Sequence, residues 1–279
     1  MGFYRMYQMS RNKRIFLLIL IVGAALRIYL VGTAAGINND AFKYARIARA
    51  MTERGVVAGI DGDYFWPYFP VNRQLIAYSL AGSMVNCVMG DMILSLRIVS
   101  MLSGIGLIWV VYHICRELVP EEKIALLSAG LVALHPEFTR ASAAVYREVP
   151  MAFLLALALL LLLWCLRRKG GVWVKWALLT GLVLFTAFMT RPDGAAAAAA
   201  LGVIALLGAR NVPWKRRIAV CLLMGGVFLA LEIPYALHVR RKSGHWMINQ
   251  WQIQNKMLPC ESARGHLLPK EEGAQDHAQ

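Results

Sequence analysis

The sequence predicts an all-α polytopic membrane protein of about seven transmembrane helices, with juxtamembrane helices in the first exterior loop. Three observations lead there. Of 279 residues, 58% are hydrophobic and only 16% are charged. Several uncharged apolar runs approach the roughly 20 residues needed to cross the hydrocarbon core of a bilayer. Lys and Arg gather in the short segments between those runs, as they do in cytoplasmic loops.

The first run, 15–32, follows Arg11, Lys13 and Arg14 in the manner of a signal peptide. No small-x-small cleavage site ends it and further apolar runs follow, so it is read as an uncleaved first span. Six more spans are expected at 93–115, 124–138, 149–166, 172–190, 195–209 and 218–237. The stretch 75–89 is less apolar and contains Ser79, Ser83 and Asn86. If it lies on the membrane surface, the N-terminal basic cluster, Arg116 with Lys123, Arg167-Arg168-Lys169 with Lys175, and Arg210 with Lys215-Arg216-Arg217 all share the cytoplasmic side. If it crosses, the two densest basic loops move outside. An interfacial helix is therefore predicted.

Three segments then face the exterior: 33–91, 139–148 and the turn Arg191-Pro192-Asp193-Gly194. Residues 1–242 form the transmembrane domain, and the polar, aperiodic tail 243–279 is predicted to be disordered. Arg240-Arg241-Lys242 would lie outside, against the charge rule.

Lys plus Arg number 30 against 16 Asp plus Glu. The charge rule accounts for this excess, so membrane lipids are the expected surroundings and nucleic acid is not an expected partner. The five cysteines, Cys87, Cys115, Cys165, Cys221 and Cys260, are scattered and show neither a CxxC pair nor a disulfide framework. The loops contain no GxxxxGK[ST], no GxGxxG after a strand and no HExxH, so no cofactor or metal is expected from motifs.

The exterior segments hold the candidate chemistry. On a helical wheel of "NNDAFKYARIARAM", Asp40 shares a face with Tyr44, Ile47 and Met51, opposite Arg46, Arg49 and Glu53. Asp40 fits a helix N-terminal cap or a functional carboxylate. His135-Pro136-Glu137 and Tyr146-Arg147-Glu148 flank the second exterior segment, where charged groups at a bundle mouth are costly unless paired or useful. Arg191-Pro192-Asp193-Gly194 reads as a chain reversal, with a guanidinium suited either to snorkelling or to phosphate oxygens. Asp61-Gly62-Asp63 resembles a DxD metal motif but lacks the nucleotide-binding domain that motif serves, and is read as a turn. The run from Tyr64 to Pro70, including Tyr68, suits an interfacial belt or a docking surface for lipid or sugar. Arg97 and Glu232, within spans, are expected to face the bundle interior. They also motivate a rival reading, a transporter or scaffold subunit, although no internal repeat of spans accompanies them.

Taken in order, these pieces resemble the GT-C integral-membrane glycosyltransferases, the group of protein O-mannosyltransferases and lipid A aminoarabinose transferases. The pattern comprises a first span, then Asp40, Tyr44, Ala48 and Gly55 on a juxtamembrane helix, then Tyr68-Phe69-Pro70 and Leu75-Ile76-Ala77-Tyr78. Leu96-Arg97-Ile98-Val99-Ser100, Tyr112, Arg116-Glu117-Leu118, His135-Pro136-Glu137, Arg147-Glu148 and Thr190-Arg191-Pro192-Asp193-Gly194 complete it over about residues 12–240.

The resemblance implies an inverting glycosyltransferase that moves a sugar from a polyprenyl-phosphate donor to a lipid, glycan or protein acceptor hydroxyl at the exterior face. It implies a bacterial inner membrane, with the N-terminus cytoplasmic. Asp40 matches the acid of the first exterior loop, the implied base, and Glu148 the acid of the second. Arg191 and Arg147 become candidates for the donor phosphate, and Tyr44 and Tyr68 for the substrate and lipid surface. The resemblance leaves a divalent ion open as a cofactor. They are also longer, so a copy truncated in its C-terminal half, or a minimal form completed by a partner, is expected.

Overall fold

A computed structural model of the chain describes residues 2–33, 39–61, 76–168, 170–208, 211–243 and 246. Among these there are helices and no strand. They are α1 (Gly2–Thr33), α2 (Asn39–Arg54), α3 (Val56–Ile60), α4 (Ile76–Met89), α5 (Met92–Leu118), α6 (Glu122–Leu134), α7 (Pro136–Ala143), α8 (Glu148–Arg167), α9 (Trp173–Thr190), α10 (Asp193–Val203) and α11 (Trp214–Ser243). A π-helical turn, Ile204–Gly208, continues α10.

Among the described residues, five helices are long and apolar enough to cross a membrane: Arg11–Thr33, Met92–Leu118, Glu148–Arg167, Trp173–Thr190 and Trp214–Arg241. Two of the seven expected spans are shorter. The run at 124–138 breaks because Pro136 has no N–H to continue α6 and instead starts α7, which His135 caps by accepting a hydrogen bond from the Phe138 N–H at 3.4 Å. The run at 195–209 becomes α10 and its π turn, together Asp193–Gly208. The stretch read as interfacial is α4, packed on α2 and α5. The last helix continues through Arg240 and Arg241, beyond the expected end at 237.

The break between α6 and α7 frees carbonyls that a bilayer interior cannot satisfy. Arg27, fully buried on α1, satisfies them. Its Nη1 donates to Ala133 O at 3.1 Å and to Gly23 O at 3.0 Å, its Nη2 to Val132 O at 3.2 Å, and its Nε to Ser142 Oγ at 3.3 Å. Gly104 on α5 makes room for this junction, since a Cβ there would sit 2.2 Å from Ser142 Oγ and 2.9 Å from Arg27 Nε.

The core falls into three clusters. One joins α2, α4 and α5 with Phe188 and Met189 at the end of α9. Another joins α8, α9, α10 and α11, and the third joins α5 and α6 under α1. The first cluster is the floor on which α2 rests.

Candidate active site

Helix α2 is anchored by spacing. Ala41, Tyr44, Ile47, Ala48 and Met51 recur at helical intervals and are buried, while Arg46, Arg49 and Glu53 are exposed. The wheel put Asp40 on the docking face, and the structure refines that placement. Asp40 belongs to the first turn, beyond the buried core, with its side chain 52% exposed and Oδ1 2.8 Å from Lys43 Nζ.

Two other segments meet α2 at this rim. Glu148 opens α8 with Arg147 immediately before it, Arg191 follows the last residue of α9, and Asp193 lies in the first turn of α10. Arg191 Nη1 donates to Glu148 Oε1 at 2.9 Å, and its Nε and Nη2 both lie 3.0 Å from Asp193 Oδ2. Arg147 Nε is 3.9 Å from Glu148 Oε1, and its guanidinium lies over the Tyr44 ring, 5.9 Å from the centroid. Burial pushes the Tyr44 phenol up to about 12; Asp40 and Glu148 add to the rise, whereas Arg147 and Arg191 oppose it. One phenol thus feels all four candidate groups, and it stays protonated at neutral pH.

A hydrogen-bonded support beneath them was not legible in the sequence. Tyr78 Oη donates to Leu96 O at 3.0 Å and lies 2.8 Å from Ser100 Oγ, while Ser100 Oγ donates to Tyr146 O at 3.1 Å. Ser79 Oγ donates to Tyr44 O at 3.3 Å, and the Tyr44 and Tyr78 rings meet edge to face at 5.3 Å. The loop that presents Arg147 is therefore tied through Ser100 and Tyr78 to the helix that presents Tyr44. Ordinary serines in apolar helices gave no signal of this, because only the fold reveals which backbone carbonyl each one meets.

Tyr68 and the rest of the aromatic run lie outside the described residues, as does Asp63. Asp61 ends α3, and its Oδ1 is 2.7 Å from His238 Nε2 on α11, a pairing across 177 positions that no local pattern announces. Arg97 and Glu232 are both half-buried. Among the described residues, no three His, Cys, Asp or Glu side chains converge as metal ligands would.

Three helices begin near this rim, and each has an acid in its first turn: Asp40 on α2, Glu148 on α8 and Asp193 on α10. The positive dipole ends of these helices favour anions. The arrangement combines carboxylates able to take a proton with guanidinium groups and helix ends able to hold a phosphate.

Comparison with known structures agrees on the architecture. The fold is similar to that of the archaeal oligosaccharyltransferase AglB from Archaeoglobus fulgidus in complex with an inhibitory peptide and a dolichol-phosphate, at TM-score 0.66 and 14% identity, covering 95% of this chain and 35% of that one. It is also similar to a crystal structure of the Archaeoglobus fulgidus oligosaccharyltransferase in complex with Zn and sulfate, at TM-score 0.64 and 17% identity, covering 91% of this chain and 37% of that one. The chain thus spans a little over a third of the length of either structure. No curated protein sequence matches it. The family model of dolichyl-phosphate-mannose-protein mannosyltransferase matches residues 75–238, which include Arg147, Glu148 and Arg191. The match covers more than half of the chain, which therefore belongs to the dolichyl-phosphate-mannose-protein mannosyltransferase family of GT-C membrane glycosyltransferases.

Proposed function

We propose that this protein transfers a sugar from a polyprenyl-phosphate donor to an acceptor hydroxyl at the exterior membrane face, with inversion at the anomeric carbon. The observation that supports this best is the convergence of Asp40 and Tyr44, Arg147 and Glu148, and Arg191 on one rim of the bundle. The dolichol-phosphate bound to the neighbouring oligosaccharyltransferase is a donor-carrier chemistry in keeping with it.

In this reading the acceptor oxygen attacks the anomeric carbon as the bond from that carbon to the phosphate oxygen breaks. Asp40 takes the hydroxyl proton, and the polyprenyl phosphate departs with the bonding electron pair. Lys43, paired with Asp40 on an exposed surface, is a weak tether that an incoming hydroxyl displaces. Negative charge grows on the departing phosphate, so donors fixed in advance at that position stabilise the transition state more than the ground state. Arg191 supplies them. Glu148 and Asp193 keep its planar fork oriented, and the phosphate takes up donors that the carboxylates now share. Tyr44, kept neutral, is a hydrogen-bond donor and a floor for Arg147 rather than a base.

The test is transfer from a polyprenyl-phosphate sugar in proteoliposomes with the Asp40→Asn protein. General-base catalysis is worth roughly 10²- to 10⁴-fold, so the rate falls by that factor while donor binding is kept. Full transfer by a folded Asp40→Asn protein would remove Asp40 from the mechanism.

A further inference from the structure

Helix α8 runs from Glu148 to Arg167, so its two ends mark opposite ends of the bundle. At the Arg167 end, away from the candidate active site, lies a groove of about 580 Å³. Its walls are Leu118, Leu163, Leu166, Ile204 and Val212, with one guanidinium, that of Arg167, and Gly208 and Asn211 also line it. We infer that this groove binds an anionic phospholipid of the surrounding bilayer, with an acyl chain along the leucines and the phosphate at Arg167.

The groove is built on a braced frame. Arg216 Nη2 donates to Cys165 O at 2.6 Å and also to Arg168 O, fastening the start of α11 to the end of α8. Arg217 Nη1 donates to Leu206 O at 3.0 Å and its Nε to Val212 O at 2.8 Å, holding the π turn and Val212 to the start of α11. Single π turns inside α-helices occur frequently at functional sites. Here the turn supplies Ile204 and Gly208 to one wall.

Size and charge choose the occupant. A volume of this order suits a small apolar ligand or a length of acyl chain, and Leu118, which ends the membrane-crossing helix α5, and Ile204, in the π turn after α10, remain 56% and 45% exposed. An apolar slot opening beside spans meets lipid before it meets anything dissolved in water. Arg167 contacts Glu117 through one nitrogen, Nη1, at 3.3 Å and keeps its side chain half exposed, so other N–H donors of its guanidinium remain for a phosphate. At the same end of the helices Arg116 is paired with Glu122, while Arg168, Lys175 and Lys215 add further positive charge, which favours a headgroup of net negative charge over a zwitterion.

The experiment uses the full chain in nanodiscs of equal phosphatidylglycerol and phosphatidylcholine, with the lipids retained by the extracted protein counted by native mass spectrometry. The protein is expected to keep phosphatidylglycerol in clear preference. Arg167→Gln lowers that preference about fivefold, the factor that one basic side chain beside an anionic lipid surface supplies. Gly208→Phe fills the groove, since a Cβ there meets only Ile204 Cγ2, at 3.6 Å, and abolishes retention of both lipids. Either variant suffices if the other does not fold. Equal retention of the two lipids by the unaltered protein, undiminished retention by Gly208→Phe, or displacement of phosphatidylglycerol by an equal amount of polyprenyl phosphate would each overturn the inference.

Discussion

Arg191 places its Nη1 2.9 Å from Oε1 of Glu148, a residue 43 positions earlier, and grips Asp193 with its other edge. Both carboxylates engage a planar fork, so a lysine cannot reproduce the pairing. Arg191→Lys is expected to lower kcat/KM for the polyprenyl-phosphate donor by about 10²- to 10³-fold, the usual cost of removing a fixed donor from developing negative charge. Steady-state transfer in proteoliposomes measures it, and a loss below threefold would mean that Arg191 does not face the phosphate.

The Tyr44 phenol, pushed up to about 12 chiefly by burial, links stability to alkaline pH. Its folded value exceeds that of an unfolded phenol, about 10, so its contribution is complete below pH 10 and is lost as pH rises towards 12. Tyr44→Phe should flatten the fall in thermal midpoint between those values. In alkaline absorbance titration of the folded protein, it should also remove the ionisation of a late-titrating tyrosine. Loss of one that titrates near 10 would contradict the burial.

Gly194 closes the turn that carries Arg191 and Asp193. A Cβ there would lie 2.5 Å from Phe188 N, 2.6 Å from Phe188 Cα and 2.8 Å from Ala187 C, all backbone atoms that cannot move aside alone. Gly194→Ala is therefore expected to push α10 away from α9 and to cost about 1–3 kcal/mol as an overpacked contact. Transfer should fall in parallel, because Asp193 moves with α10. An unchanged thermal midpoint in detergent would show the contact to be looser than described.

Arg27 holds together a helix break that the bilayer would otherwise penalise. Arg27→Met keeps the length of the side chain but takes from Val132 O its guanidinium donor, at about 1–3 kcal/mol for an unsatisfied carbonyl, and leaves Ala133 O only the Thr139 hydroxyl at 3.3 Å. The thermal midpoint should drop sharply and Arg27→Lys should recover only part of it, since one ammonium cannot span three carbonyls and a hydroxyl. Wild-type stability in Arg27→Met would argue that water or lipid reaches the break.

Much of this was legible in the residues. Runs of apolar side chains between Arg and Lys clusters marked the membrane-crossing helices, and the 3.6-residue rhythm of Tyr44, Ile47 and Met51 marked the buried face of α2. Asp40, Tyr44, Arg147, Glu148 and Arg191, nominated from separate segments, assemble at one rim. Less legible was the expected span at 124–138, because hydropathy registers His135-Pro136 as a brief polar dip although proline ends a helix there. Arg27 is illegible for the opposite reason: one cation in a strongly apolar run carries no sign of the α6 carbonyls that it meets in the fold. Asp61 and His238 meet only through the packing of distant helices, a relation that sequence spacing does not encode.

The three helix starts gathered at the rim have one more consequence. A helix dipole is the sum of fixed peptide dipoles, and no single side chain carries it. The attraction that α2, α8 and α10 exert on an anion therefore survives the removal of any one guanidinium. In the proposed reaction a donor headgroup would still be drawn to this surface without Arg147 or Arg191, so replacing either should weaken catalysis before it releases the substrate.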